Sequence, residues 1–314
     1  MSGATLMRIE WPTIGMLVLC YSIWLIAGLY VWPDYPVVAL LMMAVTAALH
    51  SSLQHEALHG HPTNKAWINE LLVGVLPLAP AYPFRRFKTL HLRHHHDEQL
   101  TDPYDDPESY YLDGRQWDEL SAPLKALLTI NNTMIGRVVL GPVLMVWGFF
   151  AAEIKLAMKG DRKVVTAWAL HLAGLALVGV TMQMLFGLPF WLYAITSGYL
   201  GMSIISVRTY CEHQAANSID HRTVIVENSP LSLLFLNNNL HLVHHKAPTL
   251  AWYKLPALMR EKREEWVAMN NGYIFGGYLD VFKHFALKGK EPVVHPQFAA
   301  QASSTQKIHA SLEA

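Results

Sequence analysis

Three clusters of histidine set the chemistry open to this chain: His55-Glu56-Ala57-Leu58-His59, His91-Leu92-Arg93-His94-His95 and His241-Leu242-Val243-His244-His245. On a helix, residues three and four apart share a face, so each cluster can aim its imidazoles at one point. Neutral imidazole is a good ligand for iron, zinc, copper and nickel. The eight box imidazoles exceed the needs of one tetrahedral ion and suit two ions with open positions. The count therefore favours a dinuclear site. Of the remaining histidines, His61, His96, His221, His284, His295 and His309 read as surface or hydrogen-bonded residues. His50 and His171 fall inside apolar runs and read as neutral imidazoles with a hydroxyl partner.

The first cluster also fits a rival pattern. His55-Glu56-x-x-His59 is the helix signature of a zinc metalloprotease, with Glu56 as general base. That reading uses two of the eight box histidines and leaves both His-x-x-His-His clusters idle. In a dinuclear site Glu56 instead reads as a support that holds an imidazole N–H of a neighbouring ligand.

These clusters need elements to hold them, and composition says which kind. The chain has 314 residues, 52% hydrophobic and 15% charged, with a mean hydropathy of +0.21. A soluble domain usually carries about 25% charged residues, so an integral membrane protein is expected. Lys+Arg 24 and Asp+Glu 24 cancel, leaving no basic field for nucleic acid. Two cysteines, Cys20 and Cys211, are too few for a disulfide framework, a four-cysteine zinc site or an iron–sulfur cluster.

Uncharged runs predict an all-α membrane fold with two transmembrane hairpins, spans near 12–32, 36–54, 164–186 and 188–207. No cleavable signal peptide is expected at the N-terminus. The stretch 71–81 is short and carries Gly74, Pro77 and Pro80, which suits a re-entrant or interfacial piece. The stretch 138–152 is also short and reads as interfacial or partly inserted. The hairpin turns at 33–35 and 187–189 carry no Lys or Arg, whereas 60–137, 153–163 and 208–314 carry nearly all of them. The boxes and both termini are therefore expected on the cytoplasmic side. A single domain over 1–285 is predicted, its cytosolic cap built from 55–163 and 208–285. Residues 286–314 are read as a mobile tail.

As a set, the three clusters resemble the histidine boxes of the membrane fatty acid desaturase superfamily, a resemblance that covers roughly residues 36–256. Arg208-Thr-Tyr-Cys-Glu212-His213 and Asn237-Asn238-Asn239-Leu240 strengthen it. The three-residue spacing within the first box is similar to bacterial and acyl-lipid members rather than the acyl-CoA type. The resemblance implies a mushroom-like helical fold, a di-iron centre of two Fe ions and O2 as co-substrate. It implies a ninth ligand near the end of the last span, the place of His213. Where acyl-CoA members carry an Asn one turn earlier, this chain has Thr209. The ligand set implied is His55, His59, His91, His94, His95, His213, His241, His244 and His245. The acidic run from Asp102 to Glu108 either supports ligand histidines or shapes the cap.

The activity implied is O2-dependent desaturation of a fatty-acyl or acyl-lipid substrate. Hydroxylation, monooxygenation or ketolation of an alkyl or small molecule on the same site is the neighbouring reading. Electrons must come from an external donor of the ferredoxin, rubredoxin or cytochrome b5 type with its reductase. Arg85, Arg86 and Lys88, or Arg260, Lys262 and Arg263, either receive that donor or anchor helices at anionic headgroups. A bacterial inner membrane is the expected location.

Overall fold

The computed structural model describes residues 8–299. It is an all-α integral membrane fold. The helices are α1 (Trp11–Val31), α2 (Pro36–Leu58), α3 (Ala66–Gly74), α4 (Phe84–His94), α5 (Gly114–Glu119), α6 (Ala122–Asn131) and α7 (Met134–Met158). They continue with α8 (Arg162–Phe186), α9 (Phe190–Thr209), α10 (His241–Lys246), α11 (Leu255–Glu261), α12 (Arg263–Met269) and α13 (Tyr278–Phe285). A two-residue parallel pairing of Ile225–Val226 with Ile274–Phe275 is the one sheet among the described residues.

Five helices are long and apolar enough to cross a membrane: α1, α2, α7, α8 and α9. Four of them match the expected spans to within a few residues at each end. Their outward faces carry exposed Leu19, Val37, Leu41, Leu172, Val180 and Leu185, the pattern of helices solvated by lipid rather than water. Their inward faces bury Leu17, Trp24, Met43, Leu53, Met182, Phe186 and Tyr193 in one core. The two hairpins touch closely. A Cβ on Gly28 would sit 2.3 Å from the Phe186 ring, and one on Gly201 would sit 2.8 Å from Ala47 Cβ and 3.1 Å from the Ala44 carbonyl. Only glycine allows these approaches, and the second one sets α2 against α9 just before each delivers its histidines.

The fifth helix differs from expectation in length. α7 runs for 25 residues, not the short stretch 138–152. Its start is tied to Ala286 through the Ile135 N–H (3.1 Å), and Arg137 lies 4.2 Å over the Tyr110 ring. Near its far end Glu153 takes a bidentate ion pair from buried Arg86. It also accepts the Trp168 indole N–H at 3.0 Å. Both ends thus rest on residues that flank the second histidine cluster.

Residues 75–83, between α3 and α4, leave the helix and pass among the spans. Non-helical backbone needs outside partners at such depth, and it has them. Tyr21 donates to the carbonyls of Leu72 (2.9 Å) and Leu76 (3.2 Å), and Tyr193 to that of Leu78 (2.5 Å). His171 Nε2 donates to the Pro80 carbonyl at 2.9 Å. His50 Nε2 lies 3.2 Å from the Tyr21 hydroxyl. His50 therefore has the expected hydroxyl partner, whereas His171 has a carbonyl.

The expected tail needs correction over its first part. Residues 286–299 pack onto the cap: Leu112 and Val294 form a bridge, and the His295 N–H donates to Leu112 at 2.9 Å. The His295 ring meets the Thr101 hydroxyl at 3.1 Å. Hydrogen bonds to Leu112, Thr101, Asn132 and Ala215 hold this strap, and none of those partners is near it in sequence. The rest of the tail, with His309, lies outside the described residues.

Candidate metal centre

The histidines arrive from four directions. His55 and His59 stand at the end of α2, His91, His94 and His95 at the end of α4, and His213 just beyond α9. His241, His244 and His245 occupy α10, a six-residue helix set against Ile225 by the Leu242 N–H bond to Val224 (3.0 Å). Its inner residues Leu242 and Val243 pack with Leu255, Met259 and Trp266.

The nine imidazoles fall into two groups whose ligand atoms all lie within 4.8 Å of one another. One group is His55, His59, His91, His95 and His244; the other is His94, His213, His241 and His245. The expectation that each cluster points at a single spot is corrected here. Helix geometry explains the division. The pairs four apart, His55/His59 and His91/His95, share one group, and His241/His245 share the other. His94 and His244 sit off those stripes and cross to the opposite group. The groups lie side by side, with the His95 and His245 rings stacked at 4.2 Å.

Each group is built to present lone pairs. His91 Nδ1 donates to Glu108 (2.8 Å), His94 Nδ1 to Asp106 (2.8 Å) and His241 Nδ1 to the Asn238 amide oxygen (2.9 Å). Those bonds leave Nε2 unprotonated on each neutral ring. Yet His94 and His241 both aim Nε2 at His213 Nε2, at 3.0 and 3.1 Å. His91 and His244 both aim theirs at His95 Nε2, at 2.9 and 3.1 Å. One N–H cannot serve two lone pairs. The Nε2 atoms of His55 and His59 are buried with no hydrogen-bond partner at all. Two cations resolve every one of these conflicts, so the residues fit a pair of metal ions. Ligands about 2.0–2.1 Å from a common ion stand at most about 4.2 Å apart, close to the separations found.

Electrostatics agree. Burial, aided by neighbouring imidazoles, holds His213, His241 and His244 well below the ordinary histidine range and pushes His59 down to about 2. Neutral imidazole is the ligand form. His94 differs: burial pushes it down, but the carboxylates of Glu108, Asp106 and Glu212 outweigh that and raise it to about 9. Burial alone would raise Glu108; the facing His91 and His94 hold it lowered instead. Arg208 pairs with Glu212 at 2.6 Å, and Glu212 stands 3.6 Å from His241 Nδ1.

Glu56 is corrected too. Its carboxylate accepts the backbone N–H of Trp252 at 3.3 Å rather than an imidazole N–H, so it ties α2 to the segment after α10. The two histidines of the zinc-protease pattern join three others in one five-imidazole group, which that pattern does not use. The acidic run divides its labour: Asp106 and Glu108 hold imidazoles, while Asp102 accepts the Tyr104 and Asp105 N–H groups and shapes the loop. Of the basic residues considered for a donor, Arg85 pairs with Glu70 (2.5 Å), Arg86 is buried on Glu153, and Arg263 pairs with Glu227 (2.5 Å).

The strap adds a contact that no local pattern signals. Lys290 Nζ donates to the His213 carbonyl at 2.8 Å, and Glu291 takes the Ala215 N–H at 2.8 Å. Lys290 stands 77 residues from His213, and a lone lysine near a terminus reads as solvated.

Comparison with known proteins agrees with the geometry. Curated proteins give no match to the chain. The family described as fatty acid desaturase matches residues 30–277, a stretch that takes in α2, the hairpin α8–α9, all three histidine clusters and His213. The chain belongs to the fatty acid desaturase family.

Proposed function

We propose that this protein is an O2-dependent di-iron membrane desaturase acting on an apolar acyl-type substrate with electrons from a separate donor. The observation that carries this reading is the convergence of nine imidazoles in two groups, with Nδ1 tied to Asp106, Glu108 and Asn238 and Nε2 left free to ligate. In the proposal His55, His59, His91, His95 and His244 hold one iron, and His94, His213, His241 and His245 the other. Two iron ions bound in this shell supply the reduction of dioxygen to an oxidant able to take hydrogen from an unactivated C–H bond. The chain's own residues position and protect. Asp106, Glu108 and Asn238 hold the Nδ1–H groups, which fixes ring orientation and turns Nε2 toward the metals. Leu53, Phe84, Leu236 and Trp252 pack into the apolar core around the ends of α2 and α4 and exclude water from the boxes.

The proposal includes a topology. The second and third boxes share both groups, so an even number of crossings separates them. The hairpin α8–α9 provides two, and α7, anchored at both ends beside the second box, lies along the boundary without crossing. All boxes then face the cytoplasm with the basic segments, where a ferredoxin, rubredoxin or cytochrome b5 can reach them.

The test is elemental analysis of purified protein with product analysis of membranes that express it. About two irons per chain and an alkene product that requires dioxygen are expected. One zinc without iron, or full turnover under strict anaerobiosis, would overturn the reading. An alcohol product would move it to hydroxylation on the same centre.

A further inference from the structure

An open groove of about 470 Å³ runs between α3 and α8, within the range of about 300–1,000 Å³ typical of small-molecule clefts. One wall is α3 with the irregular segment after it, through Leu71, Val75 and Pro77. The other is α8, through Leu170 and Leu177. The walls approach closely at Gly174, where a Cβ would lie 2.9 Å from the Gly74 carbonyl and from Pro77 Cδ. Gln54 and Phe84 also line the groove. Gln54 immediately precedes His55, and Phe84 opens the helix that carries His91 about two turns later. The groove therefore ends at the elements that present the first two boxes.

Its polar groups are mostly spent on one another. Arg85 and Glu70 pair at 2.5 Å, so neither bids for a charged headgroup, and His171 is committed to Pro80. Gln54 is the exception. It is 2% exposed, and its Nε2 has no hydrogen-bond partner. A buried amide without a partner costs stability that leucine or methionine of similar size would avoid. Among the buried polar side chains of this stretch of α2, His50 has the Tyr21 hydroxyl, Ser52 the Ala48 carbonyl and Glu56 the Trp252 N–H as partners, and His55 belongs to a metal group, which leaves the Gln54 amide without a use in the fold.

We propose that this groove binds a neutral apolar substrate bearing an oxygen acceptor, a carbonyl or hydroxyl group, within a few bonds of the reacting carbon, and that the Gln54 side-chain amide turns its NH2 to donate to that oxygen. The inference rests on the di-iron reading above and narrows its substrate class. An unfunctionalised hydrocarbon tail would present only methylenes to Gln54 and leave the donor unmet. Gln54 is a positioning residue here: it sets which carbon stands before the metals.

Two diazirine photoprobes of equal chain length test this on the full-length holoprotein, one a long-chain ketone and one the matching alkane. Mass spectrometry maps and counts the labelled peptides, and iron content is measured on the same samples. The ketone should label the peptides spanning 66–77 and 167–177 about tenfold more than the alkane, the worth of one buried hydrogen bond. Gln54→Leu should abolish that preference while iron content stays at the parental level. Gln54→Met serves as a second apolar variant where the first accumulates poorly. Equal labelling of the parent by both probes would overturn the proposal, as would a preference surviving in either variant. Absence of iron from the parent would refute the di-iron reading instead, and the labelling contrast would still decide the groove.

Discussion

Asp106→Asn isolates one half of the centre. The carboxylate holds three groups: His94 Nδ1 at 2.8 Å and the Glu108 N–H at 2.9 Å on one oxygen, and the Thr101 N–H at 2.9 Å on the other. Asparagine is nearly the same shape but replaces one oxygen by a donor. Its better orientation keeps the oxygen toward His94 and turns the NH2 against the Thr101 N–H. One buried donor pair is then unsatisfied, at a cost of about 1–3 kcal/mol in stability. The bond to His94 also loses its charge and about half its strength. Loss of such a ligand support typically weakens metal binding by about 10–100-fold, or about 1.4–2.8 kcal/mol. The effect should fall on the four-histidine group that contains His94, leaving the five-histidine group loaded. The assay is metal content after equilibration against a graded chelator series. The parent should give up both ions together at high chelator, and Asp106→Asn should give up one of them at about 10–100-fold lower concentration. A parental release curve from Asp106→Asn would refute the claim that this carboxylate orients a ligand.

Three other outcomes are expected. His213→Ala should retain about half the metal and no activity, because its Nε2 is the meeting point of His94 and His241; full activity with full metal, read by elemental and product analysis, would remove it from the site. Gly201→Val should loosen the α2–α9 contact by about 1–3 kcal/mol and lower the thermal midpoint measured by fluorescence-detected size exclusion; an unchanged midpoint would count against the close approach at Ala47. Burial pushes the Cys211 thiol up to about 12, so at neutral pH almost no thiolate is available. Maleimide should therefore leave Cys211 unmodified until the protein is denatured, and rapid modification of the folded protein would contradict its placement.

The two hairpins are legible in the sequence because an uncharged run of about 20 residues has one stable solution in a bilayer. The boxes are legible for a similar reason: spacing of three and four on a helix declares a shared face. What spacing does not declare is which face meets which partner. The crossover of His94 and His244 depends on the angle at which α4 meets α10, a tertiary quantity. The nature of α7 is hidden likewise, since its apolar length permits a crossing and the Arg86–Glu153 pair that anchors its far end joins residues 67 apart. Gly74, Pro77 and Pro80 do announce the broken segment, as helix breakers in an apolar run should. The role of Glu56 is hidden in the sequence because its partner Trp252 lies 196 residues away. The strap at 286–299 is not legible either, because its composition favours flexibility while its order comes from partners remote in sequence.

The broken segment at 75–83 also dictates an order of assembly. Its carbonyls draw donors from Tyr21 in the first hairpin and from His171 and Tyr193 in the second, which leave the ribosome about a hundred residues later. Buried before then, those carbonyls would face hydrocarbon unpaired, at a cost of several kcal/mol each. The segment must wait at the membrane surface, and it sinks among the spans only when the second hairpin arrives. Because α4 begins at Phe84, directly after this segment, the second histidine box reaches its place only once donors from both hairpins are present.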